Sequence, residues 1–111
     1  FKQKKDTDFQ SLNLNSIVSK LDIVLDRLIG ENIDVDYSLD HGLWPIYGNK
    51  NQIKQLITNI VLNAKDALQS GGTIAITTQN ANLDKNKAKS IPDIKPGKYI
   101  RVDIEEDGEG I

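Results

Sequence analysis

Two stretches of the chain carry apolar residues at helical spacing. The first follows Asn15, a residue type that caps helix N-termini, and its apolar residues recur every three or four positions until Gly30. The second covers residues 50 to about 70, and Gly71 and Gly72 are expected to end it. Its apolar arc comprises Ile53, Leu56, Ile57, Ile60, Val61, Ala64, Ala67 and Leu68. We therefore predict two amphipathic helices.

Alternation of apolar and polar residues predicts three strands. They cover residues 33–39, 73–79 and 99–106. Residues 40–49 contain glycines and a proline, which indicate two turns around a short extended piece. Residues 80–97 carry lysines and two prolines and are predicted to form an exposed loop.

The order of these elements favours a two-layer α/β sandwich, in which helices pack on one face of a mixed sheet. Residues 1–12 are polar, carry mixed charge and show no helical period, so we expect them to be a linker. Residues 13–111 form the predicted domain, because a chain of 111 residues suits one domain with a single core.

The composition excludes several classes of function. Fourteen Lys and Arg against 16 Asp and Glu give a net charge of −2, which argues against nucleic-acid binding by bulk electrostatics. The absence of cysteine excludes disulfide scaffolds, thiolate metal sites and thiol nucleophiles. No apolar run approaches the roughly 20 residues that cross a bilayer.

The flank of the second helix carries a polar stripe. Asn59 and Asn63 are four residues apart, so a helix places them on the same side. Gln52 and Asp66 extend the stripe. An amide oxygen suits magnesium, an ion that keeps waters and substrate phosphates among its ligands. The alternative interpretation is a hydrated helix surface without a ligand.

The last strand leads into the glycine-rich sequence DGEGI. If Ile104 faces the helices, alternation places Glu106 on the same face. A carboxylate in that position could accept a hydrogen bond from the exocyclic amine of a purine. Gly108 and Gly110 would let the backbone pass close to a flat ligand. The alternative is a plain turn with a partly exposed Glu106.

These segments together resemble the ATP-binding catalytic domain of sensor histidine kinases. The resemblance is closest to the nitrogen-regulation and PAS-linked branch and covers the chain from Leu12 onward. The asparagine helix is similar to the family's N box, and the sequence EDGEG at residues 106–110 is similar to its first glycine box, an Asp-x-Gly-x-Gly turn. The resemblance implies a Bergerat-type ATP-binding fold that is incomplete here, because the family's ATP lid and second glycine box would follow. We accordingly expect the chain to be the N-terminal part of such a domain.

The resemblance implies roles for individual residues. Asn63 falls at the family's magnesium-coordinating asparagine, and Asn59 falls where related water-using ATPases place a general-base glutamate. Because an amide cannot act as that base, Asn59 fits a kinase. Glu106 falls at the family's adenine-reading aspartate but has one additional methylene. The other matched positions line the family's nucleotide site: Asp66, Ala67, Gly108, Gly110 and Ile111.

The implied cofactors are ATP and Mg²⁺, and the implied parent enzyme is a protein-histidine kinase. Such an enzyme transfers the γ-phosphate of ATP to a histidine on a separate dimerisation domain, and the phosphate then passes to a response regulator. His41 lies in a turn and is not expected to be the phosphoacceptor. The isolated segment is expected to be inactive. Two alternatives stay open: a binding or scaffold module without catalysis, and another ATPase or protein-serine kinase of the GHKL superfamily.

The expected partners are ATP or ADP and, in the parent protein, the phosphoacceptor domain and the response regulator. We expect no contact with nucleic acid and none with a membrane by this segment. A cytoplasmic location is expected, and membrane anchoring of the parent is left open. An incomplete sheet would leave an unpaired edge, so self-association is a further expectation.

Overall fold

The computed structural model describes residues 9–108. Within this range the chain forms five strands and three helices. The strands are β1 (Phe9–Leu12), β2 (Ile33–Ser38), β3 (Ile46–Asn49), β4 (Gly72–Leu83) and β5 (Gly97–Gly108). The helices are α1 (Leu14–Ile29), α2 (Lys50–Asp66) and α3 (Lys85–Lys89).

The strands form two sheets. The main sheet has the order β2-β4-β5, with β2 parallel to β4 and β4 antiparallel to β5. The parallel pair is possible because α2 and β3 lie in the connection between β2 and β4, which is long enough for a crossover. Strands β1 and β3 form a separate antiparallel pair.

The core lies between the two long helices and the main sheet. Val18 and Leu25 of α1, Val61 of α2, and Ile74 and Ile76 of β4 are fully buried. The helical period supplies the first three of these residues and the strand period supplies the last two. The fold is therefore a two-layer α/β sandwich with a mixed sheet, as the sequence predicted. Among residues 9–108, no helix combines the length and apolarity that a membrane crossing requires.

Both long helices differ from their predicted bounds. Helix α1 is capped by Asn13, whose Oδ1 accepts a hydrogen bond from the backbone N–H of Ser16 at 3.3 Å, so the prediction of Asn15 as the cap is wrong. Helix α2 ends at Asp66 with Ala67 as its C-cap. A turn then leads to Gly71, whose backbone N–H donates to the carbonyl of Leu68 at 2.9 Å. The helix consequently ends about four residues earlier than predicted.

The regions predicted as linker and loop contain additional structure. Residues 9–12, which were assigned to the linker, form β1 and pair with β3. Strands β4 and β5 are 12 residues each, so the hairpin extends into both ends of the predicted loop. The short helix α3 begins after its N-cap Asp84, whose carboxylate accepts from the backbone N–H of Lys87 at 2.8 Å. Pairing with β5 satisfies part of the backbone groups of residues 80–83 that a free loop would expose to water.

Candidate functional site

An open cavity of about 590 Å³ lies where the C-terminal half of α2 passes β5. One wall comes from the helix and the other from the strand. Its lining consists of Ile60, Asn63, Ala64, Ala67, Ile104, Glu105 and Glu106. Three of these residues, Asn63, Ala67 and Glu106, are among the predicted site residues. The structure therefore brings the asparagine helix and the strand end together at one cavity.

Helix α2 fixes the orientation of Asn63. The helix starts at its N-cap Asn49, whose Oδ1 accepts from the backbone N–H of Gln52 at 3.1 Å. Val61 and Ala64 are buried against the core, so the helix cannot rotate without exposing them. Asn63 lies between these two residues in sequence and is exposed on the flank of the helix. Its amide is thus held at the cavity by burial of its neighbours.

Strand pairing fixes the orientation of Glu106. Glu106 lies directly opposite Ile74, which is fully buried in the core, and residues directly opposite each other project from the same face. Asp107 pairs with Thr73 and projects from the other face. The strand-parity prediction for Glu106 is confirmed.

Glycines allow the end of β5 to lie close to β4. Gly72 lies opposite Gly108 and has a φ of 148°, a conformation that residues with a Cβ rarely adopt. A Cβ at position 72 would lie 2.3 Å from the carbonyl oxygen of Asp107. The glycine pair therefore holds the strand ends together next to Glu106.

The remaining predicted residues are distributed unevenly. Asn59 and Asp66 are exposed on α2 but do not line the cavity. Gly108 is half-buried at the end of β5 and likewise lies outside the lining. Gly110 and Ile111 lie outside the described residues.

Four residues of the lining were not predicted as site residues, and one of them, Ala64, is a buried residue of the apolar arc. Ile60 and Ile104 were assigned to the core, but Ile60 is 39% exposed at the cavity. Its position three residues before Asn63 on the helix was the available signal. Glu105 is a further lining residue, although strand alternation points its side chain away from the helices.

The described lining is acidic. It contains Glu105 and Glu106 and no lysine or arginine. Lys65 of α2 lies next in sequence to the lining residue Ala64. Its Nζ, however, donates a hydrogen bond to the carbonyl of Leu28 on α1 at 2.7 Å. A phosphate group at this cavity would therefore need a cation from outside the described lining to offset its charge.

The donor set fits magnesium that arrives with a phosphate ligand. Among residues 9–108, no cluster of three or more His, Cys, Asp or Glu side chains is arranged to hold a metal ion. Mg²⁺ is commonly bound by one or two protein oxygens together with phosphates and waters, and the exposed amide of Asn63 can supply such an oxygen. The cavity thus suits a metal–phosphate complex better than a free metal ion.

A second, apolar groove of about 480 Å³ adjoins the cavity. Ile60 and Ile104 line both. Leu56, which is 59% exposed, and Val102 of β5 continue the groove toward the middle of the strand. An apolar surface therefore extends along the outer side of β5 on the face that carries the helices.

This arrangement defines a two-layer α/β protein whose helix flank and strand end meet at a partly apolar cavity with an amide and two carboxylates. No family model matches the chain. Over most of its length, however, the chain is similar to sensor histidine kinases. It is 31% identical over 102 residues to the sensor kinase CckA of Brucella abortus, a match that covers 90% of this chain and 11% of that protein.

Two other relatives are of the same kind. The chain is 33% identical over 95 residues to the signal transduction histidine-protein kinase AtoS of Escherichia coli, which covers 84% of the chain and 15% of AtoS. It is 25% identical over 114 residues to the sensory histidine kinase/phosphatase NtrB of Azospirillum brasilense, which covers the whole chain and 28% of NtrB. The chain thus spans less than a third of each relative. These similarities support a relationship to a histidine kinase domain.

Proposed function

We propose that this chain is the ATP-binding portion of a two-component sensor histidine kinase. The observation that carries the proposal is the convergence of Asn63 and Glu106 on one partly apolar cavity, in a chain whose relatives are sensor histidine kinases. The parent enzyme would transfer the γ-phosphate of ATP to a histidine on a separate dimerisation domain. From there the phosphate would pass to a response regulator.

The cavity offers adenine an apolar wall and one oriented acceptor. Ile60, Ala64 and Ile104 supply apolar surface from two sides. Glu106 projects from the same face of β5 as Ile104, so its carboxylate can accept a hydrogen bond from an exocyclic amine. A purine that carries a carbonyl at that position would present an acceptor to a carboxylate, which disfavours binding.

The phosphates would lie toward Asn63. In the proposed complex Asn63 contributes an amide oxygen to magnesium, and the ion offsets the negative charge of the phosphates during transfer. Asn59 lies one helical turn earlier and is proposed to act beside the phosphates. Since its amide cannot take a proton from water, it would not promote hydrolysis. The phosphate would then remain available to an acceptor histidine.

The other matched residues keep their proposed roles at the edges of the nucleotide. Asp66 would lie near the ribose and phosphates, and Gly108, Gly110 and Ile111 would pack against adenine. His41 is exposed in the turn between β2 and β3. It belongs to a loop held by Asp40, whose Oδ1 accepts from the backbone N–H of Gly42 at 2.8 Å. We therefore assign the phosphoacceptor to another domain.

Calorimetric titration of the 111-residue chain with ADP and ATP, with and without magnesium, tests the proposal. The chain should bind both nucleotides, and Asn63→Ala should lower the magnesium-dependent affinity about tenfold or more, because it removes a ligand to a charged group. Asn51→Ala is the matched control, since Asn51 is also exposed on α2 but does not line the cavity. Equal losses in the two variants would contradict the assignment of Asn63.

One observation favours a second candidate function. The described lining carries two carboxylates and no basic residue, and Glu106 is longer than the aspartate that the family resemblance leads one to expect. A scaffold or binding module without catalysis would have these properties. If the folded chain binds neither ADP nor ATP at any magnesium concentration, the result would favour the scaffold or binding module over the ATP-binding function.

A further inference from the structure

A separate cavity lies over the β4–β5 hairpin, toward the other end of β5 from the proposed nucleotide site. Its volume is about 770 Å³, which is within the range of roughly 300–1,000 Å³ that small-molecule sites occupy. Residues 79–83 of β4 and 99–102 of β5 form one wall, whereas residues 104–106 of β5 line the nucleotide cavity. The two cavities therefore share no lining residue.

The segment that joins the two strands forms the opposite wall. This hairpin segment, residues 84–96, includes α3, which contacts β4. Its Ala88 is 6% exposed. The hydroxyl of Tyr99 donates to the carbonyl of Lys95 at 2.7 Å. Tyr99 lies opposite Ala81, and its neighbour Ile100 packs against the core, so Tyr99 projects from the face of the sheet opposite α1 and α2. The hairpin segment is therefore held over that face.

Much of the lining is apolar. Ala81, Leu83 and Tyr99 contribute from the strands, and Ile91 and Ile94 contribute from the hairpin segment. Ile91 is 42% exposed, so apolar surface at the cavity remains open to water. An apolar or aromatic group that enters the cavity would remove this surface from water, which favours binding.

Two cations, Lys87 and Arg101, line the same cavity, and the described lining contains no aspartate or glutamate. Arg101 Nε lies 3.0 Å from a carboxylate oxygen of Asp103, with side chains that are 62% and 30% exposed. An exposed pair of this kind contributes little to stability, and the guanidinium carries further N–H donors on its terminal nitrogens. Arg101 can therefore bind a second anion without losing a buried interaction.

The sequence around the cavity is basic, although the whole chain has a net charge of −2. Residues 85–101 contain five lysines and one arginine against a single aspartate. A local excess of one charge attracts ligands of the opposite charge and raises their rate of association. The hairpin end of the molecule thus favours an anion, whereas the described lining of the nucleotide cavity is acidic.

We propose that the hairpin cavity binds a small amphipathic anion, a molecule that carries a phosphate or carboxylate group on an apolar or aromatic body. Lys87 and Arg101 contact the anionic group, because ammonium and guanidinium groups form charge-assisted hydrogen bonds with both kinds of oxygen. The amide of Gln79, another lining residue, supplies a further donor. The apolar lining contacts the body of the ligand. The proposal goes beyond nucleotide binding and does not depend on it.

Titration of the ¹⁵N-labelled chain, followed by backbone amide NMR, tests the proposal with three probes of one ring system. The probes are 1-naphthyl phosphate, 1-naphthoate and the uncharged 1-naphthol. At least one of the two anions should saturably shift the signals of residues 79–83 and 99–101. The stronger of the two identifies the ligand as a phosphate or a carboxylate. Naphthol should bind about tenfold more weakly or less, because it makes no hydrogen bond with an ionised group.

Two double variants separate the site from bulk electrostatics. Lys87→Gln with Arg101→Gln should lower the affinity for the anion about tenfold or more, because it removes both cations of the lining. Lys85→Gln with Lys89→Gln is the matched control, since it removes two charges from the same segment at positions outside the lining. The control should change the affinity less than about threefold, because exposed charges are screened by salt. Thermal melting of each variant controls for folding.

Four results would overturn the proposal. They are the absence of saturable shifts with either anion, shifts confined to other parts of the chain, equal affinity for naphthol and the anions, and equal losses of affinity in the two double variants. The second result would mean that the anions bind elsewhere. The third would mean that the cavity binds apolar groups without regard to charge.

Discussion

Ile74 of β4 and Glu106 of β5 lie directly opposite each other in the antiparallel pair, so a fully buried position of the sheet determines where the carboxylate projects. A shift of β5 by one residue would bring Asp107 to this face and place Ile104 on the outer face. Packing of the partly buried Ile104 against the core opposes that shift. The orientation of the proposed adenine acceptor thus follows from core packing.

This relationship predicts the effect of Glu106→Gln on nucleotide selectivity. The amide keeps the size of the side chain but replaces one acceptor oxygen by a donor. Calorimetry should show that the wild-type chain prefers ADP to GDP and that the variant loses most of this preference. Asp107→Asn is the control, because Asp107 projects from the opposite face. A variant that loses ADP and GDP binding equally would indicate a structural defect instead.

Periodicity in the sequence predicted the direction of the site's side chains better than it predicted which residues line the cavity. A strand period of two and a helix period of 3.6 fix which residues share a face. From sequence, Asn63 could therefore be assigned to the flank of its helix and Glu106 to the helix-facing side of its strand. The same periods placed Ile60 in the apolar arc of the helix and Ile104 on the apolar face of the last strand. Whether such residues are covered depends on neighbouring elements and not on their own spacing. The sequence pattern therefore could not predict that these two residues line the cavity.

Gly72→Ala is predicted to destabilise the end of the β4–β5 pair. The new Cβ would lie 2.3 Å from the carbonyl oxygen of Asp107, and the backbone would retain a φ of 148°. Because the clash is with backbone, a strand must move, and we expect a loss of more than about 2 kcal/mol in the free energy of unfolding. Urea denaturation measures this loss.

Gly42→Ala is the matched control for that substitution. Gly42 has no positive φ, and its added Cβ would come no closer than 3.6 Å to the Asp40 carboxylate. Its unfolding free energy should change by less than about 0.5 kcal/mol. Similar losses in the two variants would show that the close approach of Gly72 to Asp107 is unimportant.

Thr78→Val tests a buried polar network that links three elements. The Thr78 hydroxyl accepts from the backbone N–H of Asp40 at 3.0 Å and donates to Asn15 Oδ1 at 2.9 Å, and Thr78 is 2% exposed. Valine would leave the Asp40 N–H without its partner, at a cost of about 1–3 kcal/mol. Thr77→Val is the control, because Thr77 projects from the opposite face. Equal stability of the two variants in urea would contradict this role.

This network also explains why sequence placed the cap of α1 at the wrong asparagine. Asn13 and Asn15 both have the side chain that an N-cap requires. Asn15 instead bonds Thr78, 63 residues later in the chain, and donates to the Asp40 carbonyl at 2.6 Å. The spacing of Leu14, three residues before Ile17, was the local sign that the helix begins before Asn15. In the structure Leu14 is 3% exposed and lies on the same face as Ile17. The local sequence pattern could not predict the long-range hydrogen bonds of Asn15.

The raised pKa of Tyr37 predicts that the stability of the fold depends on pH. Partial burial raises the pKa of its hydroxyl above the usual value, and the hydrogen bond to Asp22 (Oη to Oδ1, 2.6 Å) with the charges of Asp22 and Asp26 raises it further. A raised pKa in the folded state means that the neutral phenol stabilises the fold fully below the unfolded pKa of about 10. This contribution is lost as the pH rises above 10 toward the folded pKa.

The comparison with Tyr37→Phe isolates that contribution. Near pH 7 the wild-type chain should be more stable by about 1 kcal/mol, because the variant lacks the bond to Asp22. Above pH 10 the difference should shrink, since the wild-type phenol ionises and phenylalanine does not. Tyr47→Phe serves as the control, because Tyr47 is 71% exposed and its removal should leave the pH profile unchanged. Urea denaturation at a series of pH values measures the free energy of unfolding of all three proteins. If the difference in this free energy between wild type and Tyr37→Phe stayed constant across the alkaline range, the raised pKa of Tyr37 would be contradicted.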